Sequence, residues 1–337
     1  MYPWDSMTKG DSTLRLIHES VKRGHFTAMT TPERLGIRDS VTMANCEVFK
    51  LDQKVSNSIN SFRKNVEKYW NNLPLAGFDV VFMRANPPLD PLILNFLDSI
   101  KDDVFVMNAV RGLREANNKI YTAAYYDPDH DIIPTTHVSK DVNYLKQIID
   151  ESDQEQMIMK PLDGYGGRGV IIIEKAASKN IKSLLDFYVN QSSADGKSKY
   201  VILQDYIPDA DKGDVRVFML NGKPVGALRR IPSTGDIRSN ITAGGSIAKH
   251  KLTRAEITLC KKIGEKLVRD GLYFAGLDLI GGKLVEVNVM SPGAITEYNR
   301  LNKTKLQIKI IDFLEATVRE RKRTLQRKIN LDSMMND

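Results

Sequence analysis

The sequence predicts an α/β protein, and three patterns along its 337 residues lead to this prediction. In the first third of the chain, short apolar runs alternate with helical patterns, which indicates β-α-β units with parallel pairing. Farther on, the turns Asn221-Gly222 and Gly281-Gly282 each separate two apolar runs and predict β-hairpins. The apolar fraction of 42% and the charged fraction of 27% are typical of a globular protein. At about 150 residues per domain, the length predicts roughly two domains.

The composition excludes several classes of protein. No apolar run reaches the ~18 residues of a membrane helix, and no secretory signal is visible at the start of the chain. Cys46 and Cys260 are far apart in sequence, so we expect no disulfide and a reducing compartment, the cytoplasm. The net charge is +7 (49 basic minus 42 acidic residues), of which residues 319–337 carry +3 (six basic minus three acidic). The remaining +4 suits phosphate and carboxylate ligands, and we expect neither nucleic acid nor a membrane as a partner.

The first third of the chain predicts helices and parallel strands in alternation. An apolar stripe of Leu14, Ile17 and Val21 indicates a helix that ends at Gly24. Residues 79–83 and 104–107 indicate buried strands, with a helix near 90–100 between them. Because a β-α-β domain normally opens with a strand and this chain opens with turn-like residues, we expect the N-terminal sheet to lack its first strand.

From about residue 120 onward, the pattern predicts antiparallel strands. Strands at 156–160 and 170–174 flank a glycine-rich loop, and a helix at 178–191 and a strand at 200–206 follow. The two hairpins take residues 214–230 and 273–289, with a helix at 253–270 between them. The polar segment 231–249 has no periodicity and is expected to be a long functional loop.

The glycine-rich loop is the first candidate site. Residues 160–169 read Lys-Pro-Leu-Asp-Gly-Tyr-Gly-Gly-Arg-Gly. The glycines allow the backbone to approach an anion and to donate its N–H groups, and Lys160 adds an ammonium at the end of a strand. A strand follows the loop instead of a helix, so the motif is neither a P-loop nor a dinucleotide fingerprint. A flexible hairpin loop is the alternative interpretation.

Acidic residues inside two apolar strands form the second candidate site. Asp278 lies in one strand of the second hairpin, and Glu286 and Asn288 lie in the other. An unpaired buried carboxylate is unfavourable, whereas two carboxylates and an amide oxygen suit magnesium bound together with phosphates. A two-residue turn would place Asp278 and Glu286 on opposite faces, so a shared metal site requires a three-residue loop or a β-bulge. Solvent-facing acids on an edge hairpin are the alternative.

Arginines around the first hairpin form the third candidate site. Arg230 ends a strand, Arg216 lies on the facing strand, and Arg238 lies in the long loop. Guanidinium groups bind carboxylates and phosphates through two N–H donors. A solvated loop is the alternative interpretation for a single arginine.

Together, these motifs resemble prokaryotic-type glutathione synthetases of the ATP-grasp superfamily. The resemblance covers about residues 3–313 and rests on segments in the family's order: 83–88 (Met-Arg-Ala-Asn-Pro-Pro), Asn118-Lys119, 160–169, 204–208 (Gln-Asp-Tyr-Ile-Pro), 230–245 and 276–292. It implies an α+β ATP-grasp fold. A parallel-sheet domain at 1–117 would precede a central lobe at 118–203, a C-terminal lobe at 204–315 and a basic tail at 316–337.

The resemblance also implies roles for individual residues. ATP would be bound by Lys119, Lys160, Gly164, Gly166, Gly167, Gln204, Asp205, Tyr206 and Ile207. Magnesium, or manganese in its place, would be bound by Asp278, Glu286 and Asn288. The transferred phosphoryl group would be stabilised by Arg216, Arg230 and Arg238. The peptide substrate would be held by Arg84, Asn240 and Ser291.

The implied reaction is the ATP-dependent ligation of γ-glutamylcysteine and glycine through an acyl phosphate, catalysed by a chain whose family is often homo-oligomeric. Two departures from the family pattern matter. Asn86 replaces an aspartate, and residues 293–296 (Gly-Ala-Ile-Thr) replace threonine, a small residue, isoleucine and arginine. The second departure predicts looser discrimination between acceptors. It also leaves open an ATP-grasp ligase with another amino-acid or peptide substrate. A non-catalytic nucleotide-binding regulatory protein that uses the basic tail is a third interpretation.

Overall fold

A computed structural model describes residues 3–86, 89–162, 169–190, 199–233 and 244–336 of the chain. The backbone forms two compact units. The first unit comprises residues 1–114, 268–274 and 290–337, and the second comprises residues 115–267 and 275–289. In the described part of the chain, no helix is both long and apolar enough to span a membrane.

The described residues form the following helices and strands. The helices are α1 (Ser12–Lys22), α2 (Ile59–Asn65), α3 (Pro91–Asp98), α4 (Val110–Ala116), α5 (Ile120–Ala123), α6 (Val142–Glu151), α7 (Ile181–Asn190), α8 (Arg254–Arg269), α9 (Ile295–Asn302) and α10 (Leu306–Asn336). The strands are β1 (Ala28–Met29), β2 (Leu35–Arg38), β3 (Val41–Phe49), β4 (Lys68–Pro74), β5 (Val80–Phe82), β6 (Phe105–Met107), β7 (Thr136–Ser139), β8 (Gln156–Pro161), β9 (Ile171–Glu174), β10 (Val201–Asp205), β11 (Asp214–Leu220), β12 (Lys223–Ile231), β13 (Ser246–Lys249), β14 (Phe274–Ile280) and β15 (Lys283–Asn288).

The first unit contains the predicted helix α1 and the predicted parallel pair of strands. The apolar stripe of α1 is buried in a cluster with Trp4, Phe49 and Phe62, and Gly24 follows the helix with φ +80°. Strands β5 and β6 are parallel, with α3 between them in sequence, as predicted. An antiparallel sheet in the order β1-β3-β2, with β4 paired to β3, was not predicted. A short turn at Trp4–Ser6 precedes α1; the expected loss of a first strand stays a prediction.

The second unit is built from two sheets, and the neighbouring strands in β7-β10-β8-β9, β13-β12-β11 and β14-β15 pair antiparallel. One sheet has the order β7-β10-β8-β9 and is covered by α6 and α7, whose Leu145, Ile149 and Leu185 join its apolar core. The other has the order β13-β12-β11-β14-β15. Residues 206–213 connect the two sheets between β10 and β11. Both sheets therefore belong to the second unit.

The structure confirms both predicted hairpins and corrects one loop. The turns Asn221-Gly222 and Gly281-Gly282 join β11 to β12 and β14 to β15. The expected loop 231–249 is too long, because Ser246–Lys249 pairs with β12 as strand β13. Helix α8 packs closely on the first hairpin, since a Cβ on Gly264 would lie 2.1 Å from the carbonyl oxygen of Gly222. Only glycine allows this approach.

The basic tail continues the last helix. Residues 316–336 belong to α10 without interruption, and those from 319 to 332 are exposed. Lys322 forms an ion pair with Asp79 at 3.0 Å within the first unit. A mostly solvated basic extension of α10 is therefore confirmed.

Candidate active site

One face of the five-stranded sheet carries polar residues, which we call the polar face. Its members alternate along four neighbouring strands, as residues on one face must: Asp214, Arg216, Arg230, Gly276, Asp278, Glu286 and Asn288. Asp278 lies opposite Glu286, and Gly276 lies opposite Asn288. The turn at Gly281-Gly282 has two residues, and a register shift between Asp278 and Leu279 restores the alignment. The predicted requirement for a bulge is thus met.

The centre of the polar face is a buried network of two arginines and two aspartates. Arg216 donates from Nε and Nη2 to the two carboxylate oxygens of Asp278, at 2.5 and 2.9 Å. Arg230 donates in the same way to Asp214, at 2.6 and 2.8 Å, and its Nη2 also lies 2.9 Å from Asp278 Oδ2. The side chains are at most 9% exposed. Gly276 makes room for this network, since a Cβ there would lie 3.2 Å from Arg216 Cδ.

The network shifts the pKa values of its two carboxyl groups in opposite directions. Burial alone would raise the pKa of Asp278, but the guanidinium groups of Arg216 and Arg230 outweigh it and hold the pKa well below its usual range. Burial raises the pKa of Asp214, and the neighbouring charge of Asp278 raises it further. Asp278 therefore carries the more persistent negative charge of the pair.

Glu286 lies at the more accessible edge of the polar face. Its side chain is 34% exposed, and its Oε1 lies 3.6 Å from Nζ of Lys119. Lys119 precedes α5, and this helix is held against β15 by a hydrogen bond from Val287 N–H to Thr122 Oγ1 at 3.2 Å. The structure therefore brings one predicted ATP lysine to a predicted metal ligand.

The predicted metal ligands have the chemistry of a magnesium site. Asp278, Glu286 and Asn288 supply hard oxygen donors, and Asn288 Nδ2 already donates to Asp278 Oδ2 at 3.1 Å. Both oxygens of Asp278 also accept from arginine, so a metal ion would share this carboxylate with guanidinium groups. Among the described residues, no cluster of three or more His, Cys, Asp or Glu side chains suits a metal, and the predicted site depends on the amide of Asn288 as its third donor. The donor set fits magnesium through two carboxylates and one amide.

Lys160 lies at the end of β8 in a chain of hydrogen bonds. Its Nζ donates to Gln204 Oε1 at 2.9 Å, Gln204 Nε2 donates to Thr136 Oγ1 at 2.7 Å, and this hydroxyl donates to the carbonyl of Pro134 at 2.7 Å. Burial lowers the pKa of Lys160 to about 8; the charge of Lys119 lowers it too, and Glu286 and Asp278 partly offset both effects. The four-stranded sheet thus directs an ammonium toward charges of the polar face.

The predicted adenine segment connects the two sheets. Asp205 N–H donates to the carbonyl of Thr135 at 3.0 Å. Tyr206 and Ile207 are half-buried, and Ile207 packs on the second hairpin, 2.7 Å from where a Cβ on Gly281 would be. The side chain of Gln204 contacts Lys160, so it belongs with the predicted phosphate lysine.

The predicted substrate residues Arg84 and Ser291 belong to the first unit. Arg84 is 3% exposed; its Nε donates to Thr13 Oγ1 at 3.2 Å, and its Nη2 donates to the carbonyl of Pro292 at 3.0 Å. Ser291 is half-buried beside Pro292. The other predicted residues Gly164, Gly166, Gly167, Arg238 and Asn240 lie outside the described residues.

The sequence interpretation assigned no role to several residues of the site. Asp214 pairs with Arg230 across strands, and its spacing of two from Arg216 was the available signal. Thr136 and Thr122 form hydrogen bonds with Gln204 and Val287, which are distant in sequence, so no local sequence pattern predicts them. Burial raises the pKa of Cys46 to about 11 and that of Cys260 to about 12, and both thiols are free. The prediction that no disulfide forms is confirmed.

Two family models match nearly the whole chain. The N-terminal domain of prokaryotic glutathione synthetase matches residues 1–114, and the ATP-grasp domain of the same family matches residues 118–303. The glutathione synthetase of Synechocystis sp. is 33% identical over 326 residues, which cover 93% of this chain and 97% of the relative. That of Agrobacterium fabrum is 33% identical over 310 residues and covers 91% of each chain.

Solved structures share the fold at lower identity. The ATP-grasp ligase PsnB, complexed with precursor peptide PsnA2 and AMPPNP, has a TM-score of 0.59 and 15% identity, covering 93% of this chain and 96% of that one. The RimK domain protein ATP-grasp from Sphaerobacter thermophilus has a TM-score of 0.57 and 16% identity, covering 92% and 96%. These structures confirm the ATP-grasp fold. By both its family models and its relatives, the chain belongs to the prokaryotic glutathione synthetase family.

Proposed function

We propose that this protein is an ATP-dependent ligase that joins γ-glutamylcysteine to glycine. The observation that carries the proposal is the polar face, where Asp278, Glu286 and Asn288 lie in register beside two buried arginines. Lys119 and Lys160 bring two ammonium groups to the same charges. The relatives of this chain are named glutathione synthetases, which supports the choice of substrates.

The reaction needs two bond exchanges, and neither requires a nucleophilic side chain. The cysteinyl carboxylate of γ-glutamylcysteine attacks the γ-phosphorus of ATP; an O–P bond forms, the bond to the bridging oxygen breaks, and ADP leaves. The amine of glycine then attacks the acyl carbon, phosphate leaves with the electrons of the C–O bond, and the amine loses a proton. Groups that stabilise phosphate charge can supply most of the catalysis.

The side chains of the second unit divide this work. Lys119 and Lys160 bind phosphate oxygens of ATP. Arg216 and Arg230 exchange part of their contact with Asp278 and Asp214 for the transferred phosphoryl group, since guanidinium binds phosphate as it binds carboxylate. The family resemblance gives the same role to Arg238, which lies outside the described residues. The segment 205–207 holds adenine, with Gln204 beside Lys160 at the phosphates. The resemblance gives Gly164, Gly166 and Gly167 a role in ATP binding.

Asp278, Glu286 and Asn288 would hold magnesium, or manganese, with the triphosphate. The ion, when bound, supplies charge neutralisation at the phosphates. On the substrate side, Arg84, Asn240 and Ser291 bind the peptide.

We further propose a reducing compartment, the cytoplasm, because both cysteines are free. The family resemblance implies a homo-oligomer. We propose this state, and size-exclusion chromatography with light scattering tests it.

The proposal is tested by ATP turnover with γ-glutamylcysteine, with and without glycine, followed by mass spectrometry of the product. We expect glutathione and one ADP per product. A Lys160→Met variant should lose turnover, whereas Lys182→Met, on the exposed side of α7, should keep it. A ligase for another amino acid, which the Gly-Ala-Ile-Thr sequence at 293–296 favours, would give ADP only with a different acceptor. ATP binding without turnover on any acceptor would favour the regulatory alternative.

A further inference from the structure

Three polar side chains form a row across neighbouring strands of the four-stranded sheet, within the second unit. Thr136 on β7 lies directly opposite Gln204 on β10, and Lys160 on β8 lies opposite Ile202. Ile202 and Gln204 are two residues apart in one strand and therefore share a face. Thr136, Gln204 and Lys160 thus lie on the same face, while Leu203 on the other face belongs to the apolar core beneath α6 and α7.

The hydrogen bonds along this row run in one direction. A threonine hydroxyl has one proton, and that of Thr136 is donated to the carbonyl of Pro134 at 2.7 Å. The oxygen of Thr136 is left as an acceptor, and it accepts from Nε2 of Gln204 at 2.7 Å. The other end of the amide, Oε1, therefore faces Lys160 and accepts from its ammonium at 2.9 Å.

The reverse orientation of the Gln204 amide would be unfavourable at both ends. Its Nε2 would face the ammonium of Lys160, so two donors would meet. Its Oε1 would face the oxygen of Thr136, whose proton is already donated to Pro134. Gln204 is only 6% exposed, and a buried polar group without a partner is destabilising. The hydroxyl of Thr136 therefore fixes which end of the amide Lys160 meets.

Lys160 has hydrogen-bonding capacity that its contact with Gln204 does not use. An ammonium has three N–H donors, and Gln204 accepts from one of them. Among the residues that the structure describes, no second acceptor lies within hydrogen-bond distance of Nζ. Lys160 ends an apolar strand directly before the glycine-rich segment, where the sequence alone already indicates an anion site. Two N–H donors of a held ammonium are thus left for a ligand at this position.

We propose that Thr136 is a positioning residue for nucleotide binding: through Gln204 it holds the ammonium of Lys160 and leaves two of its donors for phosphate oxygens. The proposal rests on the proposed function, in which Lys160 binds phosphates of ATP. Thr136 needs no contact with the nucleotide, since its effect passes through the orientation of one amide. A hydroxyl at position 136 should therefore matter for ATP and not for the other substrates.

Isothermal titration with ATP and Mg²⁺, without any other substrate, measures this role. Thr136→Val keeps the shape of the side chain and removes the acceptor. We expect the Kd for ATP to rise about 3- to 10-fold, the range for one hydrogen bond. Thr136→Ser keeps the hydroxyl and should retain the wild-type Kd. The matched control is Thr258→Val, which removes an exposed hydroxyl bonded to the carbonyl of Arg254 within α8 and should leave the Kd unchanged.

A double variant tests whether the effect passes through Gln204. In Gln204→Leu the row is already interrupted, so the addition of Thr136→Val should cause no further rise in the Kd for ATP. Losses that add would show that Thr136 acts by another route and would overturn the assignment. In steady-state assays, Thr136→Val should raise the KM for ATP alone. A joint rise in the KM values for ATP, γ-glutamylcysteine and glycine would indicate a merely structural role and would also overturn it.

Two further results would count against the assignment. One is an unchanged Kd in folded Thr136→Val, and the other is a Kd in Thr136→Ser as high as that in Thr136→Val. If the valine variant does not fold, Thr136→Cys takes its place, because sulfur is a weak acceptor, and an unchanged Kd there would overturn the assignment. A wild type that binds ATP but makes no glutathione overturns the proposed substrates alone, whereas one that binds no ATP overturns both proposals.

Discussion

Replacing Lys160 by methionine should stabilise the fold while it removes ATP binding. The pKa of Lys160 falls from 10.5 to about 8 in the folded protein, chiefly because of burial. At 1.36 kcal/mol per pKa unit, this difference corresponds to about 3 kcal/mol against folding with a charged lysine. Methionine loses the hydrogen bond to Gln204, at about 1 kcal/mol. We therefore expect a net gain of about 2 kcal/mol in the free energy of unfolding at pH 7.

The gain should depend on pH in a defined direction. Below pH 8 both the folded and the unfolded lysine are protonated, and the full penalty applies. Between pH 8 and 10.5 the unfolded chain binds the proton and the folded chain does not, so wild-type stability rises with pH. The advantage of the methionine variant should therefore shrink over this interval, because methionine does not titrate.

Thermal unfolding at pH 7, 9 and 10.5 measures this effect. At about 2.1 cal/mol/K per residue, the unfolding entropy of a chain of 337 residues is about 0.7 kcal/mol/K. A gain of about 2 kcal/mol then raises Tm by about 3 °C. Lys182→Met is the control and should not change Tm. An Lys160→Met variant whose Tm at pH 7 equals or falls below that of the wild type would refute the reasoning, as would a difference independent of pH.

Four further outcomes follow from the same structure. The kcat/KM for ATP should fall as pH rises through about 8, where Lys160 loses its proton in the free enzyme, and a Lys160→Arg variant should show no such fall. Glu286→Gln should raise the magnesium concentration needed for half-maximal activity at least tenfold, at roughly 1.4 kcal/mol per tenfold, whereas exposed Glu265→Gln should leave it unchanged. Deletion of residues 319–337 should keep kcat within about threefold, because exposed charges beyond ~8 Å are screened; inactivity of a folded truncation would contradict this. Competition among glycine, alanine and serine should give mainly the glycine product with measurable side products, since one methylene shifts preference by only about 1–3 kcal/mol, and exclusive use of glycine would exclude a loosened pocket.

Local signals in the sequence predicted much of the second unit. The turns Asn221-Gly222 and Gly281-Gly282 fixed both hairpins, because glycine takes the positive φ that such turns need. Alternation along β15 put Glu286 and Asn288 on one face. The sequence could not decide between a three-residue loop and a bulge, since the register shift after Asp278 depends on how β14 pairs as a whole.

Other features depend on contacts between distant residues and could not be predicted. The pairing of Arg216 with Asp278 requires β11 and β14 to be neighbours, and this order is set by the topology of the sheet. The contact of Arg15 with Thr296 joins residues 281 positions apart. Strand β4 (Lys68–Pro74) was missed for another reason: its sequence, Lys-Tyr-Trp-Asn-Asn-Leu-Pro, lacks the apolar alternation that indicates a strand.

The charge balance of the candidate site supports the proposed ligand, a nucleotide with a divalent cation. Among the described residues, four cations (Lys119, Lys160, Arg216 and Arg230) lie with three carboxylates (Asp214, Asp278 and Glu286), which leaves a charge of +1 at neutral pH. The buried carboxylates are needed, because an arginine left without its partner at this depth would be strongly destabilising. They also limit how much triphosphate charge the protein can neutralise alone. A site built for the bare triphosphate anion would show a large excess of cations. One excess positive charge beside oxygen donors suits a triphosphate that is already bound to a divalent cation.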